Sequence, residues 1–232
     1  MDIEINTFDG VVLKTKGKYV ETDINLFVSD KAFEEILYDG EVENGTLGAN
    51  KLASYFNGTI TEVTEEDLKG ATKIGEYVFH NNLSLKSIEI PNTVTSIGQY
   101  ACDGSGLQMV IMGDNVASIG QYAFWKCQYL TSVTILNSVT KIETMAFSLC
   151  SKLTNITIGK DILNIASTGL AIGSSTNKAT ITFLGTTPPT ISSSTFIADR
   201  INKIIVPKGY GEVYKTATNW SNFADYIVEA TE

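Results

Sequence analysis

Apolar positions along this chain recur in blocks at a fixed spacing. Segments beginning at Ile74, Ile97, Ile119, Ile142 and Ile165 superimpose at spacings of 23, 22, 23 and 23 residues. Self-similarity at such a period marks a repeat architecture. The first four segments read Ile74-Gly75-Glu76-Tyr77-Val78-Phe79, Ile97-Gly98-Gln99-Tyr100-Ala101-Cys102, Ile119-Gly120-Gln121-Tyr122-Ala123-Phe124 and Ile142-Glu143-Thr144-Met145-Ala146-Phe147. Later in each unit comes an alternating element: Leu85, Ile88, Ile90; Leu107, Val110, Met112; Leu130, Val133, Ile135; Leu153, Ile156, Ile158. Alternation puts successive side chains on opposite faces, so each element predicts a short strand with its apolar residues inward.

The pattern continues weakly through Ile181 and Phe183 and revives at Ile201, Ile204 and Val206, with Gly173-Ser174-Ser175 and Pro188-Pro189 stretching the intervening loops. Six strand rungs follow, the fifth degenerate. A unit of this size cannot bury its apolar face alone, whereas stacked units share a continuous core and a parallel sheet. At about 4.8 Å per strand, six rungs span roughly 24 Å.

The flanks differ from the repeat. Residues 1–58 are expected to form a non-repeat segment, 59–207 the solenoid and 208–232 a cap. In the first segment, strand-like stretches (Val11 to Lys14, Tyr19 to Val28) precede a helix over Lys31 to Tyr38, capped by Asp30 and ended by Asp39-Gly40. A second short helix is expected over Ala49 to Phe56, and Thr64 with Asp67 resembles a capping box. At the far end Tyr210, Tyr214, Trp220, Phe223 and Tyr226 supply an aromatic tail, with a helix expected from Gly211 to Thr218 to cover the last rung.

Composition narrows the function classes. Hydrophobic residues at 43% and charged residues at 19% describe a folded chain without a membrane span. The 26 acidic against 17 basic residues give a net charge of -9, which opposes nucleic-acid and anionic-membrane partners. Met1 leads straight into Asp2, Ile3 and Glu4, without the pattern of a secretion signal. Three cysteines and one histidine, without a C-x-x-C pair, argue against a disulfide scaffold and a zinc site.

The run I-G-x-Y-A-F-x-x-C-x-x-L-x-x-V-x-I, clearest from Ile119 to Ile135, resembles the BspA-like class of bacterial leucine-rich repeats. The likeness covers about Ile60 to Pro207 and is strongest over Ile74 to Gly159; Val206-Pro207-Lys208-Gly209 to Trp220 is similar to the tail that commonly closes such arrays. It implies an α+β repeat fold, a leucine-rich repeat solenoid with a parallel sheet of short strands. It also implies a cell-surface or secreted protein that adheres to host proteins, matrix or other bacteria, without catalytic residues. Cys102 in the Phe position and Gly169-Leu170 in place of Ala-Phe depart from the pattern. The stretch from Thr7 to Leu13, with Lys18-Tyr19, is similar to short modules of phage tail and prophage proteins, so a virion component is the alternative expectation.

Candidate chemistry is sparse. Cys127 and Cys150 occupy equivalent places and should lie one above the other; the rung spacing is compatible with a bridge, but buried free thiols suit such stacking better. His80 has no partnered nucleophile and reads as a surface or capping residue. The acidic pairs Glu34-Glu35 and Glu65-Glu66-Asp67 read as solvated helix positions. Asp114 and Asp161 lack the alternating oxygen ligands of a calcium loop. The sequons at Asn44, Asn57 and Asn155 are cheap matches in a threonine-rich chain. No cofactor or metal is expected.

The informative surface is the outward side of the strands. One row reads Glu89, Ile111, Thr134, Thr157, Thr182 and Ile205, and its neighbour reads Ser87, Met109, Ser132, Asn155, Thr180 and Lys203. Threonine suits an exposed strand for structural reasons alone. A flat solenoid face also suits a partner, here expected to be an extracellular protein or glycan, with Ser87, Glu89, Met109, Ile111, Ser132, Thr134, Asn155, Thr157, Thr180 and Thr182 as the candidate site.

Overall fold

In a computed structural model, the chain separates into two compact units, Met1–Glu41 and Val42–Glu232. The structure describes residues 61–231 except 66 and 69, together with the backbone of six short strands before residue 61. In the first unit Asp2–Asn6 pairs antiparallel with Val12–Lys16, and Val20–Thr22 with Asn25–Phe27. The two helices expected over Lys31 to Tyr38 and Ala49 to Phe56 lie outside the described residues.

The second unit is a coil in which each turn contributes to two ladders of parallel strands. The motif isoleucines form the first. Lys73–Ile74, Ser96–Ile97, Ser118–Ile119, Lys141–Ile142, Asn164–Ile165 and Thr190–Ile191 pair in order, with Thr46–Leu47 joining in parallel beside Lys73–Ile74 and Val42–Glu43 closing that edge. The L-x-x-I-x-I elements form the second, called here the face ladder. It comprises a three-stranded sheet of Glu62–Val63, Ser87–Glu89 and Met109–Ile111, and a five-stranded sheet of Ser132–Ile135, Asn155–Ile158, Ala179–Phe183, Ile201–Val206 and Ile227–Glu229.

The face ladder therefore has eight strands rather than six; its fifth expected rung keeps register with the rung before it, Thr180, Ile181, Thr182 and Phe183 each aligning with a residue of Asn155–Ile158, while its register with Ile201–Val206 shifts between Ala179 and Thr180. The stretched loops absorb the added residues outside the strand. The further strand at the end belongs to the segment expected to be cap alone, with Ile227 opposite Ile204. The gap of 23 residues between these two isoleucines is the repeat period itself.

Inward side chains stack into columns. Ile88, Ile90, Val133, Ile135, Ile156, Ile158 and Ile181 are buried, and Phe124 lies on Phe147 with ring centroids 5.1 Å apart and planes 7° from parallel. The glycine of the I-G pair has a steric cause: a β-carbon on Gly98 would stand 2.8 Å from the carbonyl carbon of Gly75 in the preceding turn. Between the ladders the chain bends through left-handed residues. Tyr77, Tyr100, Tyr122, Met145 and Thr168 have φ of 62°, 55°, 58°, 57° and 52°, and Asn81, Gly104, Lys126, Leu149 and Gly173 form a second such column. Side chains at such φ cost about 1–2 kcal/mol per residue, and backbone bonds between turns hold them, as in Phe79 N–H to Ala101 O (2.7 Å) and Cys102 N–H to Ala123 O (2.7 Å).

At the start of the array Thr64 and Asp67 form the expected reciprocal box: Thr64 N–H donates to Asp67 Oδ2 at 2.7 Å and Asp67 N–H to Thr64 Oγ1 at 3.4 Å. It closes a series of turns. At the other end the helix runs Gly211–Thr216, two residues shorter than expected, because Ala217 is extended. A 3-10 helix, Trp220–Tyr226, follows left-handed Asn219. Tyr214 and Trp220 are fully buried; the Tyr214 hydroxyl donates to Gly185 O at 2.8 Å and Trp220 Nε1 to Pro189 O at 2.9 Å.

Candidate partner-binding face

The parallel register brings the outward rows together. Thr134, Thr157 and Thr182 are directly aligned, with Ile205 and Val228 continuing the row, and Ser132, Asn155, Thr180 and Lys203 form the neighbouring one. In the three-stranded sheet Ser87 aligns with Met109, and Glu89 with Ile111. The ten candidate residues thus fall into two groups, split where the ladder is interrupted between Met109–Ile111 and Ser132–Ile135. Met109 (48%) and Ile111 (45%) are exposed at that break, large apolar side chains left facing solvent. Ser132, Thr134 and Asn155 are also exposed, whereas Ser87, Glu89, Thr157, Thr180 and Thr182 are half-buried by their neighbours. The face is uncharged at its centre. Its side chains offer hydroxyl and amide groups, such as the Asn202 amide donating to Thr180 Oγ1 at 3.2 Å.

The cysteines do not form a site. Cys102, Cys127 and Cys150 are buried and unbridged, and the thiols of Cys127 and Cys150 donate to Cys102 O (3.2 Å) and Phe124 O (3.0 Å). Burial holds the Cys102 and Cys150 thiols well above their ordinary pKa, so they stay protonated and unreactive. Among the described residues no group of three or more His, Cys, Asp or Glu side chains is placed to hold a metal ion.

His80 is more engaged than its isolation in sequence suggests. Its Nδ1 lies 3.0 Å from Asp103 Oδ2, its Nε2 lies 2.8 Å from Asn81 Nδ2, and Tyr77 meets its ring edge-on. Burial raises the Asp103 pKa, opposed by the charges of His80 and Lys126. This joins adjacent turns without placing a nucleophile beside the imidazole. Sequence reasoning also missed a stack of tyrosines on the turns: Tyr77, Tyr100 and Tyr122 have ring centroids 4.9 and 4.6 Å apart and planes within 10° and 2°. Its signal was visible, since the three occupy one position of the I-G-x-Y motif.

Among the described residues, no helix is long and apolar enough to cross a membrane.

Two solved structures and one family model are similar to this chain. A crystal structure of a leucine-rich cell surface protein from Faecalibacterium prausnitzii A2-165 is similar at 27% identity over 70% of this chain, with a TM-score of 0.41. This chain covers 44% of that protein, less than half its length. A leucine-rich repeat protein of T. pallidum is similar at 22% identity over 54% of this chain and 74% of its own, with a TM-score of 0.39. No curated protein matches. The model of the BspA type leucine rich repeat region matches in six copies across residues 72–196 and 118–225, which span the repeats of both ladders. The chain belongs to the BspA-type leucine-rich repeat family.

Proposed function

We propose that this chain is a non-enzymatic binding module of a bacterial surface or secreted protein, engaging an extracellular protein or glycan through the outward rows of the face ladder. The observation that carries this reading is the register, which sets Ser132, Asn155 and Thr180 beside Thr134, Thr157 and Thr182 as one uncharged polar platform. Met109 and Ile111 add exposed apolar area at one end, the kind of surface that marks interaction sites. Stacked turns hold these side chains on a rigid backbone, which lowers the ordering cost of association. Family membership supports adhesion as the kind of activity.

The test is an array of matrix proteins and glycans probed with the wild type and with a Thr134→Arg, Thr157→Arg variant of unchanged melting temperature. Saturable binding that the double variant loses is the expected result. Binding that survives both substitutions, or folded protein without saturable binding, rejects the face as the site.

A further inference from the structure

Counting repeat units from Ile74, the second, which begins at Ile97, is one residue short, and the shortening has a definite place. Tyr100 precedes Leu107 by seven residues, whereas Tyr77 precedes Leu85, Tyr122 precedes Leu130 and Met145 precedes Leu153 by eight. The position before each leucine reads Ser84, Gly106, Tyr129 and Lys152. Gly106 packs so tightly that a β-carbon there would stand 2.0 Å from Leu83 O and 3.1 Å from Lys86 Nζ. The missing side chain leaves room for Lys86, anchored by donation to Leu83 O at 2.8 Å, to reach across the second unit toward Tyr129 in the third. Its ammonium stands 5.7 Å from the Tyr129 ring centroid, and Lys152 of the fourth unit stands 4.9 Å from the same ring. In the third unit Lys126 lies 3.8 Å over Trp125.

Three features separate this cluster from ordinary surface lysines. Among the described residues, Lys86 and Lys152 make no ion pair with a carboxylate, although the chain carries a net charge of -9, whereas the charge of Lys126 acts on Asp103. The ammonium groups are held over aromatic rings, whose electron-rich faces attract the cations and fix their positions. Tyr129 itself remains 46% exposed and Trp125 partly so. The lysines come from the first, third and fourth units, strung along the axis of the coil.

We propose that this shortened unit and its neighbours form a binding site for an acidic polysaccharide, a linear glycan bearing carboxylate or sulfate groups. The exposed part of Tyr129 offers apolar contact to a sugar ring, and Lys86 and Lys152, held at that ring, pair with successive acidic groups along the glycan. An acidic peptide would satisfy the lysines without using the ring. The net negative charge limits attraction to short range, since charges are screened beyond about 8 Å at physiological ionic strength. Binding is therefore sensitive to salt. This site is distinct from the sheet face and stands or falls separately from it.

The experiment uses calorimetric titration with heparin for sulfate, polygalacturonate for carboxylate, dextran as the neutral glycan and polyglutamate as the acidic peptide. Trp125 fluorescence gives a second readout, because Trp220 is fully buried. The variants are Lys86→Gln with Lys152→Gln, Tyr129→Ser, and Lys203→Gln on the sheet face as control, each checked for an unchanged melting curve. Heparin or polygalacturonate is expected to bind and dextran not to, with the double lysine variant weaker on the order of tenfold. Tyr129→Ser should weaken the glycan severalfold, and the control should bind as wild type. The proposal is overturned if neither acidic glycan binds, if the lysine or Tyr129 variants bind normally, or if polyglutamate binds as well as the glycans and ignores Tyr129→Ser.

Discussion

Gly120 lies directly over Gly98, close enough that a β-carbon on Gly120 would stand 2.8 Å from the Ile97 carbonyl oxygen and the Gly98 carbonyl carbon. The contact is backbone against backbone, so no flexible side chain can yield. Gly120→Ala should force the two turns apart and cost about 1–3 kcal/mol, the usual penalty for overpacking. Chemical denaturation would measure it; an unchanged midpoint would show that the turns spread freely.

The stacked pair Phe124 and Phe147 makes the opposite prediction. Both are fully buried, so Phe147→Ala should leave a cavity and cost about 3–5 kcal/mol, whereas Phe147→Leu should cost less than about 1.5 kcal/mol. Equal losses in the two variants would mean that ring stacking, not filled volume, carries the contact.

How much of this was legible depends on whether a contact repeats. Ile74, Ile97, Ile119, Ile142 and Ile165 were readable as a column because one period determines every neighbour in a coil, and the same period aligned Thr134 with Thr157. The strand Ile227–Glu229 follows that period too, but the aromatic residues between Tyr210 and Tyr226 obscured it with a helical pattern. The reach of Lys86 to Tyr129 was hidden for another reason: it skips a turn, and depends on Gly106 having no side chain. The break in the face ladder gives no separate sequence signal, since Val110 and Met112 keep the alternation.

The closing segment should be sensitive to a single oxygen. Tyr214→Phe removes the donor to Gly185 O and leaves a buried carbonyl without its partner, at a cost of about 1–3 kcal/mol. Thermal unfolding should shift downward, while a Tyr210→Phe control on an exposed ring should not.

Glu229 predicts a pH dependence. Backbone N–H groups of Gly209 and Gly211 donate to its carboxylate at 3.0 and 2.9 Å and hold its pKa below the usual 4.5. The unfolded chain therefore binds the proton more readily. The stabilisation from Glu229 is present above pH 4.5 and is lost as pH falls through the lowered folded value. Glu229→Gln should lower the melting temperature at neutral pH and narrow its gap from wild type under acid, as followed by melting curves across that range.

The spacing of 23 residues between Ile204 and Ile227 has a consequence for ancestry. A closing strand built in the same period as the units before it docks onto any turn that presents the same strand edge, with an isoleucine at the expected place. Duplication or loss of an internal unit then changes the number of turns without redesigning the closing strand. The array can vary by whole units while its last strand stays the same.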